Sequence, residues 1–259
     1  MTFRILGILN ITPDSFSDGG FYTSQDTAKA RADELLEQGA DWIDIGAEST
    51  RPGSKALSTE EEWGRLQPVL ATLSTASISI DTANPIIMKR ALDYGVGMIN
   101  CTNGTVDTET LTTLAKHGTH YIAMHRHGCS ATMQQKPLSG SAVLNSIELF
   151  YAKSWKNLHS AGFSPGKIWL DPGYGFGKDI SAQTHLMAAT KKHSSQYQIV
   201  TGISRKSWLG HVLNIEDPIK RDSSSRMLEI GLVFAGTQMI RAHDVKVLNN
   251  IRSMLKTSL

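Results

Sequence analysis

The 259-residue sequence predicts an α/β fold of the (β/α)8 TIM-barrel class. Three observations carry that expectation. Eight short, nearly uninterrupted apolar runs recur along the chain, each ending in a polar or charged residue, as strands buried in a parallel sheet do. A stretch rich in Gly, Ser, Thr or Pro and then a helical pattern follow the runs, the rhythm of strand–helix units. The first run is not followed by the G-x-G-x-x-G turn of an open doubly wound sheet. No linker, composition shift or low-complexity segment divides residues 1–259, so one domain is expected.

The expected strands are 4–10, 42–45, 78–81, 98–100, 121–125, 168–171, 199–204 and 239–243. Residues 26–39 place Ala28, Ala32, Leu35 and Leu36 on one helical face, and Gly39 suits a C-terminal stop. Ser58 and Glu61 have the spacing of a capping box that opens a helix over 59–66, and Pro68 should kink or restart it. Asn84-Pro85 reads as an N-cap followed by proline at the first helical position. Further helices are expected near 109–116 and over 141–159, 182–193, 221–235 and 245–255. In a barrel the C-terminal strand ends converge on one face, where active sites sit. Asn10, Asp44, Asp81, Asn100, His125, Asp171, Ser204 and His243 should therefore ring one pocket.

Composition limits the function. Lys+Arg 26 against Asp+Glu 24 leaves a net charge of +2, which excludes a broad electrostatic footprint for nucleic acid or an anionic membrane. Any anion site must be a local cluster. Cys101 and Cys129, with no C-x-x-C pair, give neither a disulfide framework nor a thiolate zinc site, and fit a reducing, cytoplasmic setting. The apolar stretch 3–9 is too short for a signal peptide or a membrane span.

Five segments carry chemistry. Residues 10–20 are dense in turn residues and oxygens, and the Asn10 amide carbonyl with Asp18 could hold Mg²⁺ in part, water and a substrate phosphate supplying the rest. Residues 48–53 offer Arg51 for bidentate grip on a phosphate or carboxylate, beside Pro52 and Gly53. Residues 171–178 alternate three glycines with Tyr174 and Phe176, which would let backbone approach a ligand. Residues 202–207 put Lys206 just past the seventh strand, where barrels often bind anions. Arg241 and His243, two positions apart, should face the same side of the last strand.

Taken in order, residues 10–20, 48–53, 79–82, Asn100, Met124-His125, 171–178, 202–207 and 241–245 resemble the dihydropteroate synthases of folate biosynthesis, over nearly the whole chain. The resemblance implies a transferase that joins 6-hydroxymethyl-7,8-dihydropterin diphosphate to p-aminobenzoate with loss of pyrophosphate, by dissociation before attack. It implies a pterin set of Asp81, Asn100, Asp171 and Lys206, with Ile122, Met124, Phe176 and Gly202 along the slot and Arg241 stacked on the ring. Thr50, Arg51, Pro52, Phe176 and Ser207 would meet p-aminobenzoate. Asn10, Asp18, Arg51, Arg241 and His243 would meet pyrophosphate, with Asn10 on Mg²⁺. Asp81, Lys206 and Arg241 are the expected catalytic residues, and loops 16–20 and 49–53 would close over the site.

The sequence departs from the family pattern at Ala47, usually Gly, at Cys101-Thr102, usually Asp and an aliphatic residue, and in the basic run 125–129. A pterin-dependent methyltransferase and a pterin-binding relic without turnover are the alternatives. A homodimer is also implied. The helix 221–235 supports it, because Met227, Ile230, Leu232, Val233 and Phe234 exceed one barrel-facing stripe.

Overall fold

A computed structural model describes residues 2–11, 24–48, 57–73, 77–128, 133 and 135–257. Its elements in order are β1 (Arg4–Asn10), α1 (Ser24–Glu37), β2 (Trp42–Gly46), α2 (Thr59–Leu70), β3 (Ile78–Asp81), α3 (Pro85–Leu92), β4 (Met98–Cys101), α4 (Thr108–Lys116), β5 (His120–Met124), α5 (Ala142–Ser160), β6 (Ile168–Asp171), α6 (Ile180–Ser194), β7 (Val200–Thr201), α7 (Ser207–Leu213), α8 (Asp222–Phe234), β8 (Met239–Ala242) and α9 (Val245–Thr257).

All eight strands run parallel, in the order β6-β5-β4-β3-β2-β1-β8-β7. The seam between β6 and β7 is joined by a parallel bridge from Leu170 to Ile199, and Leu170 N donates to Gln198 O at 2.9 Å. The Gln198 side-chain amide spans the same seam to Ile168 O at 3.2 Å. The sheet thus closes as the expected barrel.

Alternation along each strand sorts the core into two shells. Outward residues such as Ile43, Ile45, Ile78, Ile80 and Ile240 pack in one cluster with helix residues such as Ala28, Leu35, Leu66 and Leu248. Burying each large aliphatic side chain contributes about 1.5–3 kcal/mol. Inward residues Leu6, Met98, Ile122, Trp169, Val200 and Met239 form a separate apolar layer inside the barrel. The next inward residues toward the C-terminal strand ends are Asp44, Asn100, Met124, Asp171 and Arg241. Polarity rises inside the barrel where the site must be.

Most local signals act as expected. Ser58 and Glu61 make both halves of the capping box at the start of α2, and Asn84 accepts from Ile86 N at 3.0 Å to cap α3. Most boundaries shift by a residue or two, and three differences stand out. Pro68 does not end or restart α2, which runs on to Leu70. It stands in the last turn, where only one ladder bond is lost, and buried Leu66, Val69 and Leu70 hold the helix on the barrel. The seventh strand is Val200–Thr201, not 199–204, because the chain leaves the sheet at Gly202 and turns through Arg205 at φ 59°. The fifth strand starts at His120 and ends at Met124, so His125 lies just beyond it. No helix among the described residues is long and apolar enough to cross a membrane.

Candidate active site

The polar layer is wired through Asp44, a fully buried carboxylate on β2. Ser79 Oγ donates to its Oδ1 at 2.6 Å. Asn100 Nδ2 and Arg241 Nε donate to its Oδ2 at 2.9 and 2.6 Å. The other arm of the guanidinium reaches Asp81 Oδ2 at 2.8 Å. Arg241 from β8 therefore spans two carboxylates on neighbouring strands. Asp44 also orients Asn100, fixing its side-chain carbonyl away from the carboxylate.

Above this network a pocket is lined by Asp81, Asn100, Thr102, Met124, Asp171, Gly173, Tyr174, Phe176, Gly202, Lys206 and Arg241. Lys206 Nζ sits 4.0 Å from the centroid of the Phe176 ring, a cation–π contact on one wall. Asp171 Oδ1 accepts from Gly173 N at 2.6 Å.

Electrostatics are strongly perturbed here, as at catalytic sites generally. Burial pushes the Asp81 carboxyl up to about 7 against the opposing pull of Arg241. Burial also raises Asp171, offset by the Gly173 N–H. Burial and then the nearby Arg241 charge bring Lys206 down to about 8. A carboxyl and an ammonium that change charge near neutrality, beside a second carboxyl raised by burial, can adjust to a ligand edge carrying both donors and acceptors.

The loop after β6 is shaped by its glycines in an unexpected way. A Cβ on Gly173 would lie 2.0 Å from His125 O, and one on Gly177 2.1 Å from His127 O. Both have positive φ. These glycines admit the backbone of the neighbouring loop, where a ligand was expected. Lys178 completes that join: its buried Nζ donates to the carbonyls of Gly173 at 2.8 Å, Phe176 at 3.0 Å and His125 at 3.2 Å. No separate sign of this staple is legible in the sequence.

Only part of the expected ring of strand-end residues reaches the pocket wall. Asp81, Asn100 and Asp171 line it. Asp44 lies beneath as the anchor just described. His125 turns outward, 3.0 Å from Ser146 Oγ and edge-on to the Phe150 ring; with Ile122 and Met124 facing in, alternation sends it to the other side. Ile122 belongs to the apolar layer below the slot. Ser207 is exposed at the first turn of α7. The Asn10 amide oxygen and Asp81 flank Gly46 at the mouth, each within 3.7 Å of where a Cβ would stand.

Ser204 and His243 form a pair. His243 N donates to Ser204 Oγ at 3.2 Å, and the same hydroxyl lies 3.0 Å from His243 Nδ1. The Ser204 hydroxyl thus holds both the backbone and the ring of His243 in place. Burial and the Arg205 charge drive His243 down to about 3, so its ring is neutral near pH 7. Asp18, Thr50, Arg51 and Pro52, and the loops 16–20 and 49–53, lie outside the described residues.

Comparison with known proteins now decides the family. Residues 6–243 match the family described as pterin binding enzyme. The chain belongs to the pterin binding enzymes. Within this family it is a dihydropteroate synthase. The dihydropteroate synthase of Neisseria meningitidis serogroup C is 38% identical over 250 residues, covering 94% of this chain and 88% of the relative. The structure of Xanthomonas albilineans dihydropteroate synthase with 4-aminobenzoic acid aligns with a TM-score of 0.89 at 32% identity, covering 99% of this chain and 93% of the other. The same organism's enzyme in complex with 7,8-dihydropteroate aligns at 0.85 and 30% identity, over 99% and 94% of the two chains. In this pterin binding enzyme the lined pocket occupies the barrel face where family members of this fold class place their chemistry.

Proposed function

We propose that the pocket binds 6-hydroxymethyl-7,8-dihydropterin diphosphate and that p-aminobenzoate displaces its pyrophosphate to give 7,8-dihydropteroate. The observation that carries this reading is the convergence of Asp81, Asn100, Asp171 and Lys206 on one slot with Arg241 across it. A pterin edge alternates ring N–H, amino and carbonyl groups. Carboxylate, amide and ammonium can pair with all of them, and a ligand that leaves them unpaired is penalised.

The reaction proceeds by dissociation. The C–O bond to the diphosphate breaks and its electron pair leaves with pyrophosphate. The dihydropterin ring delocalises the methylene cation, and the ionised Asp81 stabilises it. The aromatic amine then forms the C–N bond and releases one proton. Neutral His243 and the Arg51 guanidinium donate hydrogen bonds to the leaving group, and Asn10 with Asp18 would meet it through the magnesium ion. Thr50, Pro52, Phe176 and Ser207 hold p-aminobenzoate.

Magnesium fits this site. Among the described residues no group of three His, Cys, Asp or Glu side chains forms an ion cage. A single neutral oxygen such as that of Asn10 suits an ion that keeps waters and takes the rest of its ligands from substrate phosphates. When bound, the ion neutralises diphosphate charge.

The proposal extends to a cytoplasmic homodimer. Cys101 is a buried free thiol, in keeping with a reducing setting. On α8, Leu232 and Val233 pack inward, whereas Met227 is 77% and Phe234 60% exposed, with half-buried Ile230 between them. That outward face suits a second copy of the chain.

The test is pyrophosphate release from the pterin diphosphate with Mg²⁺, with and without p-aminobenzoate. Release coupled to dihydropteroate formation supports the reading. No release, or methyl transfer from a methyl-folate instead, contradicts it.

A further inference from the structure

Lys206 follows a residue in an unfavourable backbone conformation. Arg205 has φ 59°; Asn214 is the other non-glycine residue of positive φ among those described. A long side chain seldom adopts this region unless its surroundings impose it. Here the backbone N–H, the carbonyl and one edge of the guanidinium of Arg205 are gripped by the start of α8 and the turn before it. Arg205 N donates to Ser225 Oγ at 3.1 Å. Arg205 O accepts from Arg221 NH1 at 3.1 Å. The guanidinium makes a bidentate pair with Asp222, Nε to Oδ1 and NH2 to Oδ2, both at 2.7 Å. Arg221 is itself seated by Ile215 O at 2.9 Å and against Gly210, where a Cβ would lie 2.6 Å from the guanidinium.

We propose that Asp222, with Ser225 and Arg221, is a positioning residue for Lys206: it holds Arg205 in the left-handed conformation that aims the next side chain over Phe176 into the pocket. Asp222 does not line that pocket. Without the clamp, Arg205 relaxes toward negative φ. The direction of the chain entering α7 changes, and Lys206, at the N-cap of α7, leaves its place. The proposal rests on the assignment of Lys206 to the pterin slot.

The experiment compares kcat and KM for dihydropteroate formation in wild type, Asp222→Ala, Arg205→Gly, the double variant and Lys206→Ala. Displacement of one functional group by about 1 Å can cost on the order of 10²-fold, so Asp222→Ala should lower kcat/KM by about 10- to 100-fold. Glycine adopts positive φ without strain. Arg205→Gly therefore makes the clamp dispensable, and adding Asp222→Ala to it should change kcat/KM by less than about 3-fold, a non-additive cycle. If Asp222→Ala costs the same factor in both backgrounds, Asp222 is structural and the proposal is overturned. Wild-type kinetics in Asp222→Ala with a crippled Lys206→Ala also overturn it and leave the site reading intact. Normal turnover in Lys206→Ala would instead show that the site reading is wrong. Should Asp222→Ala fail to fold, Ser225→Ala removes only the bond to Arg205 N and should show the same suppression by Arg205→Gly.

Discussion

Replacing Asp44 by asparagine isolates the role of the charge under the pocket. The side chain is fully buried and accepts from Ser79, Asn100 and Arg241 at 2.6, 2.9 and 2.6 Å. Asparagine keeps the shape. Its carbonyl can still face Asn100 and Arg241, and the Ser79 hydroxyl can turn to accept from its amide. What disappears is the ion pair. Breaking a buried pair costs about 3–5 kcal/mol, and the lower end applies because Arg241 keeps Asp81 at 2.8 Å. A loss of about 3 kcal/mol lowers the melting temperature of a chain this size by roughly 6–12 °C.

A second effect follows on Asp81. Its pKa is raised to about 7 by burial, and the Asp44 charge adds to the rise. Removing that like charge lets Asp81 ionise at lower pH. Activity that needs ionised Asp81 is present above its pKa and lost as pH falls through it. The acid limb of kcat/KM should therefore sit near pH 7 in wild type and move to lower pH in Asp44→Asn. Scanning calorimetry and a pH–rate profile on the two proteins provide the check. An unchanged melting temperature together with an unmoved acid limb would refute the argument that Asp44 anchors Arg241 and loads Asp81.

Four further outcomes are expected. Asp81→Asn keeps the fold but loses turnover on the order of 10²-fold or more; near-normal steady-state rates would remove Asp81 from the chemistry. Calorimetry with the pterin alcohol should show weakened binding to Lys206→Ala, whereas Arg51→Ala should weaken discrimination in favour of the diphosphate. Equal alcohol affinity in Lys206→Ala and wild type contradicts the placement of Lys206. The buried Glu229, 2.9 Å from Arg226, is raised to about 8 chiefly by burial. The native state thus keeps a proton that the unfolded chain gives up near pH 4, and stability falls as pH rises from about 4 to about 8. Urea unfolding at pH 5 and pH 8 should show a larger loss in wild type than in Glu229→Gln, and equal losses speak against it. Light scattering at micromolar concentration should give twice 28.3 kDa, and Phe234→Lys should shift it toward the monomer; a monomeric wild type rejects the dimer.

The barrel was legible because parallel strands buried on both faces leave continuous apolar runs that stop at polar ends, and seven of the eight runs mark strands within a residue or two. The seventh was not, because an apolar run cannot reveal that Arg205 turns left-handed; that depends on α8, many residues away. The pocket wall was legible at Asp81, Asn100, Asp171, Lys206 and Arg241. Strand-end polarity does not by itself distinguish inward from outward residues, so His125, which follows inward Met124, was misplaced. Asp44 was visible as a strand-end residue, but its place below the pocket was not. Alternation would have shown it inward between Ile43 and Ile45, with Gly46 still to follow. The lysine staple at Lys178 rests on three carbonyls, which no side-chain pattern announces.

A crystal structure of the protein with the pterin alcohol and magnesium pyrophosphate tests the central claim most directly. The bicyclic ring should lie inside the barrel mouth, its edge bonded to Asp81, Asn100, Asp171 and Lys206 and its face against Arg241, with pyrophosphate beside Asn10 and His243. A ring bound elsewhere, or an empty slot at saturating ligand, would contradict this placement.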